Sequence, residues 1–244
     1  VVRITADVAT NYTTAVTDSE VVVLGKNSTW DNYDGFVSPF GANSPIRNNP
    51  SGVFADGSNL QDFIAVESNF HNTGAIEFGP DGALYVSIGD STTAVLDTGA
   101  YRSQDLDNLS GKVLRIDPIT GEGLADNPFF DGDRDSNRSK VYQYGLRNPF
   151  RITIHPETGE IFIGDTGWHT WEEGNAGGAG ANFGWPHYEG ARGGNAPTEQ
   201  FEELPPSLAF YANPTPVEAP IVALDHANDR AASVVLGEFY FGDR

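Results

Sequence analysis

The stretch IEFGPDGALYVSIGD, residues 76–90, decides how the rest of the chain is read. Two short runs rich in β-branched and aromatic residues flank a Pro-Asp-Gly turn, and the second run ends on Gly-Asp, which is the pattern of a β-hairpin. ITIHPETGEIFIGD (152–165) repeats that order, and VVLGEFYFGD (234–243) repeats it more faintly. The Gly-Asp pairs fall at 89–90, 164–165 and 242–243, so the unit recurs after 75 and then 78 residues. A recurring β unit cannot bury both faces of its sheet alone, and such repeats build propellers or solenoids. At this length the unit exceeds a solenoid coil and fits a four-stranded blade with long loops. The competing reading is a two-sheet sandwich in which similar hairpins recur by chance. Three periods use up the chain, whereas propellers have about 4–8 blades. We therefore expect residues 1–244 to form a single partial β-propeller domain of about three to four blades, belonging to a longer chain.

Composition agrees with an all-β fold. Among 244 residues, 28 Gly and 15 Pro are scattered throughout, and no long stretch places apolar residues at i, i+3, i+4 and i+7, so helices should be few. VVVLG (21–25) and KVLRID (112–117) read as further strands. The net charge of −20 excludes nucleic acid as a partner, because phosphate binding needs a basic face. The same acidity suits divalent cations or a salty medium. The chain has no Cys and no Met, even at position 1, so it reads as a processed product or a piece of something longer. No apolar run approaches the roughly 20 residues that span a bilayer, and the start lacks the features of a signal peptide.

Long loops on a rigid β frame are where function concentrates. The tracts 41–52, 126–139 and 174–198 are too long for hairpin turns. His71, just ahead of a predicted strand, has the side chain best matched to taking a proton near neutral pH; a loop residue bonded to a carbonyl is the plainer alternative. Arg147 lies between Gly145 and the Asn148-Pro149 pair, which define a tight backbone path and hence the direction of the guanidinium fork. A salt bridge to one of the 34 acids is the competing use. Asp131, Asp133 and Asp135 alternate in DGDRDSN like the first half of a calcium loop, yet the glycine and glutamate of an EF-hand are missing. Glu172 and Glu173 follow a loop whose carbonyls could join them around calcium. His155 looks structural, and His187 and His226 are open. No dinucleotide fingerprint, Walker lysine or nucleophile elbow is present.

Seven pieces in order, HNTG (71–74), FGPDGALYVSIGD (78–90), GKVLRID (111–117), DNPFF (126–130), YGLRNPFRI (144–152), GDTGWHTWEEGN (164–175) and NFGWP (182–186), resemble the soluble pyrroloquinoline quinone (PQQ)-dependent sugar dehydrogenases, the glucose/sorbosone dehydrogenase family. The resemblance implies a six-bladed propeller, located outside the cell or in the periplasm, oxidising a sugar hydroxyl by hydride transfer to PQQ with calcium. It implies His71 as general base, Arg147 beside the reactive quinone oxygens, Asn148 as a cofactor contact, the carbonyls of Gly167 and Trp168 as ligands of a catalytic calcium, and Glu172 and Glu173 as ligands of a structural calcium pair. Phe70 stands where the family's glucose enzymes carry an acid, and the basic residues that clamp the quinone carboxylates would lie beyond Arg244. The alternative is a non-catalytic propeller module that keeps the frame and its calcium and binds glycans or proteins.

Overall fold

The computed structural model describes residues 1–29, 52–66, 68, 70–191, 193–240 and 242. Most of the 41–52 tract and Asp243 of the third Gly-Asp pair lie outside the described residues. Twelve strands are described: β1 (Val2–Arg3), β2 (Val21–Val22), β3 (Thr73–Phe78), β4 (Leu84–Ile88), β5 (Lys112–Ile116), β6 (Val141–Tyr144), β7 (Pro149–Ile154), β8 (Ile161–Asp165), β9 (Trp171–Gly177), β10 (Tyr188–Ala191), β11 (Gly194–Pro197) and β12 (Val222–Asp225). Two short helices, α1 (Asn137–Lys140) and α2 (Pro205–Ala212), complete the regular structure with brief 3-10 turns. The fold is all-β and antiparallel, as the periodicity predicted.

Each of the first two copies of the repeat begins its own sheet. IEFGPDGALYVSIGD forms β3 and β4 of a four-stranded sheet ordered β3-β4-β5-β6, and ITIHPETGEIFIGD forms β7 and β8 of a second ordered β12-β9-β8-β7. Both hairpins turn on a glycine with positive φ, Gly82 at 79° and Gly159 at 72°. Neither sheet closes on itself.

β4 and β5 are buried along their whole length, because the first sheet is covered on both faces. One face, with Val86, Ile88, Leu114 and Ile116, packs on Leu24 and Ile64 from the N-terminal part. The other, with Ala75, Tyr85 and Val113, packs on Ile152, Ile161 and Ile163 of the second sheet, with Leu146 and Phe183 filling the seam. Each such aliphatic side chain contributes about 1.5–3 kcal/mol on burial. Where the sheets come closest, a Cβ on Gly74 would strike the carbonyl of Pro149. That contact brings the N-terminal end of β3 against the start of β7.

The third copy departs from expectation. Residues 234–240 carry no strand. They lie across the outer face of the second sheet, Phe239 meeting Phe162 and His155 edge-on at ring distances of 5.1 and 4.9 Å. Side-chain packing holds the segment where no ladder is made. VVVLG likewise yields only the two residues of β2.

Candidate active site

His71 sits on the turn into β3 with φ of 54°. Its carbonyl accepts the Ser91 N–H at 3.1 Å, and a Cβ on Gly89 would strike that same carbonyl. The imidazole is thereby set against the end of β4, with Nδ1 2.8 Å from Asp90 Oδ1. Asp90 is fully buried and surrounded by donors. Oδ1 also accepts the backbone N–H and hydroxyl of Thr92, both at 2.9 Å, and Oδ2 accepts the Trp185 Nε1–H at 2.8 Å. Burial alone would raise the pKa of Asp90, but the imidazole, Arg147 and the Thr92 N–H together hold it below the usual range. An ionised carboxylate only accepts, so Nδ1 carries the imidazole proton and Nε2 keeps its lone pair. Burial first, and Arg147 second, push the His71 pKa down against the pull of Asp90, so the ring is neutral at pH 7.

Arg147 reaches the same place from the turn between β6 and β7. Gly145 takes φ of 75° there. Asp165, the aspartate of the second repeat, fixes the turn: Oδ2 accepts the Arg147 N–H at 3.0 Å and Oδ1 the Asn148 N–H at 2.6 Å. The Arg147 carbonyl in turn accepts the Asp90 N–H at 2.8 Å. The two Gly-Asp pairs are therefore joined through the Arg147 backbone, and Asp90 meets His71 with its carboxylate and Arg147 with its backbone N–H. The buried guanidinium donates from Nη1 to the carbonyls of Thr166 at 2.9 Å and Gly167 at 2.5 Å, and its Cζ lies 5.5 Å from the Trp185 ring centre. Burial lowers its pKa, opposed by Asp90, Asp165, Glu189 and Glu172.

Acids organise the loop that follows. Glu189 Oε1 accepts three backbone N–H groups, from Trp168 at 2.8 Å and from Thr170 and Trp171 at 3.1 Å. Glu172 Oε2 accepts from the Gly167 N–H at 3.2 Å and the Val234 N–H at 3.1 Å, while Oε1 meets His226 Nε2 at 2.8 Å. Glu173 accepts from Gly190 N–H and, at 2.9 Å, from Asn175 Nδ2. Burial raises Asp165 to about 7 and Glu173 to about 8, and their mutual repulsion adds to the rise in Glu173.

These donor sets test the two groups that the sequence resemblance implies. For a quinone the fit is good at its oxygens: Arg147 Nε is buried without a hydrogen-bond partner, beside a neutral imidazole and an indole face. For calcium it fails. The Gly167 carbonyl already faces a guanidinium, and both oxygens of Glu172 and of Glu173 already meet N–H donors or a ring nitrogen. Among the described residues, no three His, Asp or Glu side chains group as a metal site. The DGDRDSN loop lies apart from the site and is satisfied internally: Asp131 accepts from Ser136 Oγ and Ser139 Oγ, each at 2.9 Å, Asp133 accepts the Asp135 N–H at 3.0 Å, and Lys140 Nζ donates to the Asp135 carbonyl at 2.8 Å.

The structure brings together His71, Arg147, Asn148, Gly167, Trp168, Glu172 and Glu173, and leaves Asp131, Asp133 and Asp135 outside. It adds Asp90, Asp165, Trp185 and Glu189, which sequence reasoning did not single out as site residues. The signal for the first two was in hand, since they are the aspartates of the repeated Gly-Asp pairs. Of the remaining histidines, His155 caps its turn by accepting the Glu157 and Thr158 N–H groups, and His187 is buried against Ser207 and Phe210.

An antiparallel β scaffold presenting an imidazole–carboxylate pair beside a buried guanidinium defines a class of site suited to proton abstraction next to a developing negative charge. The sequence model of the Glucose / Sorbosone dehydrogenase family matches residues 58–218, and the chain belongs to that family. Among curated relatives, it is 28% identical over 230 residues to the HIPL2 protein of Arabidopsis thaliana, covering 85% of this chain and 32% of that protein. It is 30% identical over 116 residues to the aldose sugar dehydrogenase YliI of Escherichia coli, covering 48% of this chain and 29% of the relative. Quinoprotein glucose dehydrogenase B of Acinetobacter calcoaceticus is 30% identical over 139 residues, 50% of this chain and 27% of that protein. Among solved structures, the PQQ-bound aldose sugar dehydrogenase of Streptomyces coelicolor shares 34% identity at a TM-score of 0.46, over 64% of this chain and 36% of that one. The chain thus spans about a third of the length of the curated relatives it matches.

Proposed function

We propose that this chain is part of a quinoprotein dehydrogenase that oxidises a sugar hydroxyl, on a β-propeller of which residues 1–244 form a single partial domain, located outside the cell or in the periplasm. The observation that carries the reading is the His71–Asp90 pair joined through the backbone to Arg147, in a chain of this family. PQQ, when bound, supplies the two-electron acceptor for the substrate's hydride. His71 Nε2 takes the hydroxyl proton, and Asp90 stabilises the imidazolium that results. Arg147 holds a fixed positive charge where negative charge develops. Asn148, tied to the same turn by Asp165, makes a further contact to the cofactor in this proposal. Calcium is left out of this proposal, because the Gly167 carbonyl and the Glu172 and Glu173 carboxylates already hold hydrogen-bond donors. No described helix is long and apolar enough to cross a membrane.

The test is reconstitution with PQQ, followed by dye reduction with a panel of aldoses. Turnover that is lost in His71→Ala, with the fold retained, supports the reading. Phe70, which stands where the family's glucose enzymes carry an acid, favours a second reading: a non-catalytic module that binds glycans or proteins. Absence of turnover with every aldose in the reconstituted protein, together with glycan binding that survives His71→Ala, would select it.

A further inference from the structure

Trp185 touches both halves of the site from below. Its Nε1–H donates at 2.8 Å to Asp90 Oδ2, the oxygen that His71 does not use. Its ring centre lies 5.5 Å from the Arg147 guanidinium carbon, within cation–π range. The backbone is pinned as well: its N–H donates to the Gly145 carbonyl at 2.9 Å, and its own carbonyl accepts Gln104 Nε2 at 2.7 Å. The ring is 4% exposed and packs edge-on against Trp168 and Phe201 at 6.1 and 5.3 Å.

An indole is a donor only. Set against Oδ2, it favours the ionised carboxylate, the stronger acceptor, over the protonated one. It also stops the carboxylate from rotating, so Oδ1 stays aimed at His71 Nδ1. Thr92 supports Oδ1 from the backbone side but does not touch Oδ2. We propose that Trp185 is a positioning residue, fixing the proton of the His71–Asp90 pair on Nδ1 and so keeping Nε2 free, while seating Arg147 over its face. The catalytic consequence rests on the function proposed above; the effect on the imidazole does not.

The test is histidine 15N NMR on the whole chain, comparing the parent with Trp185→Phe, which keeps an aromatic ring and loses the N–H. The charged groups facing His71 are Asp90, Arg147 and Asp97, and none is altered. In the parent, the neutral ring should carry its proton on Nδ1. In the variant, loss of the donor leaves more negative charge on Asp90 and frees the carboxylate to rotate, so the His71 titration midpoint should rise by about one pH unit, a tenfold change in its proton affinity, and the neutral ring should show a mixture of Nδ1–H and Nε2–H forms. If Trp185→Phe does not fold, benzothienylalanine at 185 keeps the bicyclic shape without the N–H and should give the same shift. A folded variant with unchanged His71 midpoint and tautomer overturns the proposal and leaves Trp185 as packing alone. In a PQQ-reconstituted protein that turns over, kcat should fall about tenfold with KM unchanged. A His71 shift in a parent that shows no turnover would count against the dehydrogenase reading only.

Discussion

His71 Nδ1 and Asp90 Oδ1 lie 2.8 Å apart, where the turn into β3 meets the end of β4. The contact fixes a tautomer, so an amide in place of the carboxylate should act through the tautomer. In Asp90→Asn the side-chain NH₂ can donate to Nδ1, which moves the imidazole proton to Nε2 and removes the base. We expect kcat of the reconstituted protein to fall by about 10²–10⁴. Histidine 15N shifts should show the inverted tautomer whether or not the protein turns over. An unchanged tautomer would separate Asp90 from the function of His71.

The loop between β8 and β9 is gathered by Glu189. One carboxylate oxygen gathers the N–H groups of Trp168, Thr170 and Trp171, and hydrogen bonds to a charged acceptor contribute about 1.5–3 kcal/mol each before shared geometry is counted. Glu189→Ala should therefore lower Tm by about 5–10 °C. Incubation with a chelator should leave Tm of the parent unchanged. A calcium-dependent rise in Tm would mean that Arg147 leaves the Gly167 carbonyl and that the loop has a second arrangement.

Much of this site was legible in the chain, for a physical reason. Hairpins are local, so the Pro-x-x-Gly turns and the alternation around them announce β3–β4 and β7–β8 directly, and the repeat places their Gly-Asp ends at matching points of two sheets. His71 and Arg147 stand out by residue type and turn chemistry. Trp185 and Glu189 do not, because their roles depend on contacts with residues 95 and 18–21 positions away, and no local pattern encodes such a contact. The strand expected from VVLGEFYFGD is missing over 234–240 for the complementary reason. A strand is completed by its neighbour, and the pattern of VVLGEFYFGD says nothing about whether one is beside it.

Lys112 shows how the same kind of long-range contact supports the frame. Its fully buried ammonium, on β5, donates to the carbonyls of Arg102 and Ser103 at 2.9 Å and of Ser110 at 2.7 Å. Three donors matched to three acceptors leave no N–H unsatisfied. Lys112→Met keeps the volume and leaves the Ser110 carbonyl without its donor, whereas the Arg102 and Ser103 carbonyls keep the backbone N–H groups of Asp105 and Gly145; the loss should be about 1–3 kcal/mol. The midpoint of thermal unfolding should drop by roughly 5 °C. A loss of under about 1 kcal/mol would mean that water replaces the ammonium without penalty.

Glu173 should make stability depend on pH in a direction opposite to that of a salt-bridged acid. Its folded pKa is raised to about 8, whereas an unfolded glutamate titrates near about 4.3. The folded state thus holds a proton that the unfolded chain has lost, and the contribution to stability is complete below about pH 4 and disappears as pH rises through about 8. Tm should fall between about pH 5 and pH 8, with Asp165, raised to about 7, adding to the slope. Glu173→Gln makes the neutral form permanent. The amide keeps an acceptor for Gly190 N–H, and its NH₂ offers a donor to Asn175 Oδ1, which is buried and unpartnered in the parent. The variant should be more stable than the parent at pH 8 by about 1–3 kcal/mol, with little difference at pH 4.5, and calorimetry at the two pH values reads both. Equal Tm at pH 8, or a parent whose Tm climbs from pH 5 to 8, would place an ionised Glu173 in the folded protein and require a cation beside it.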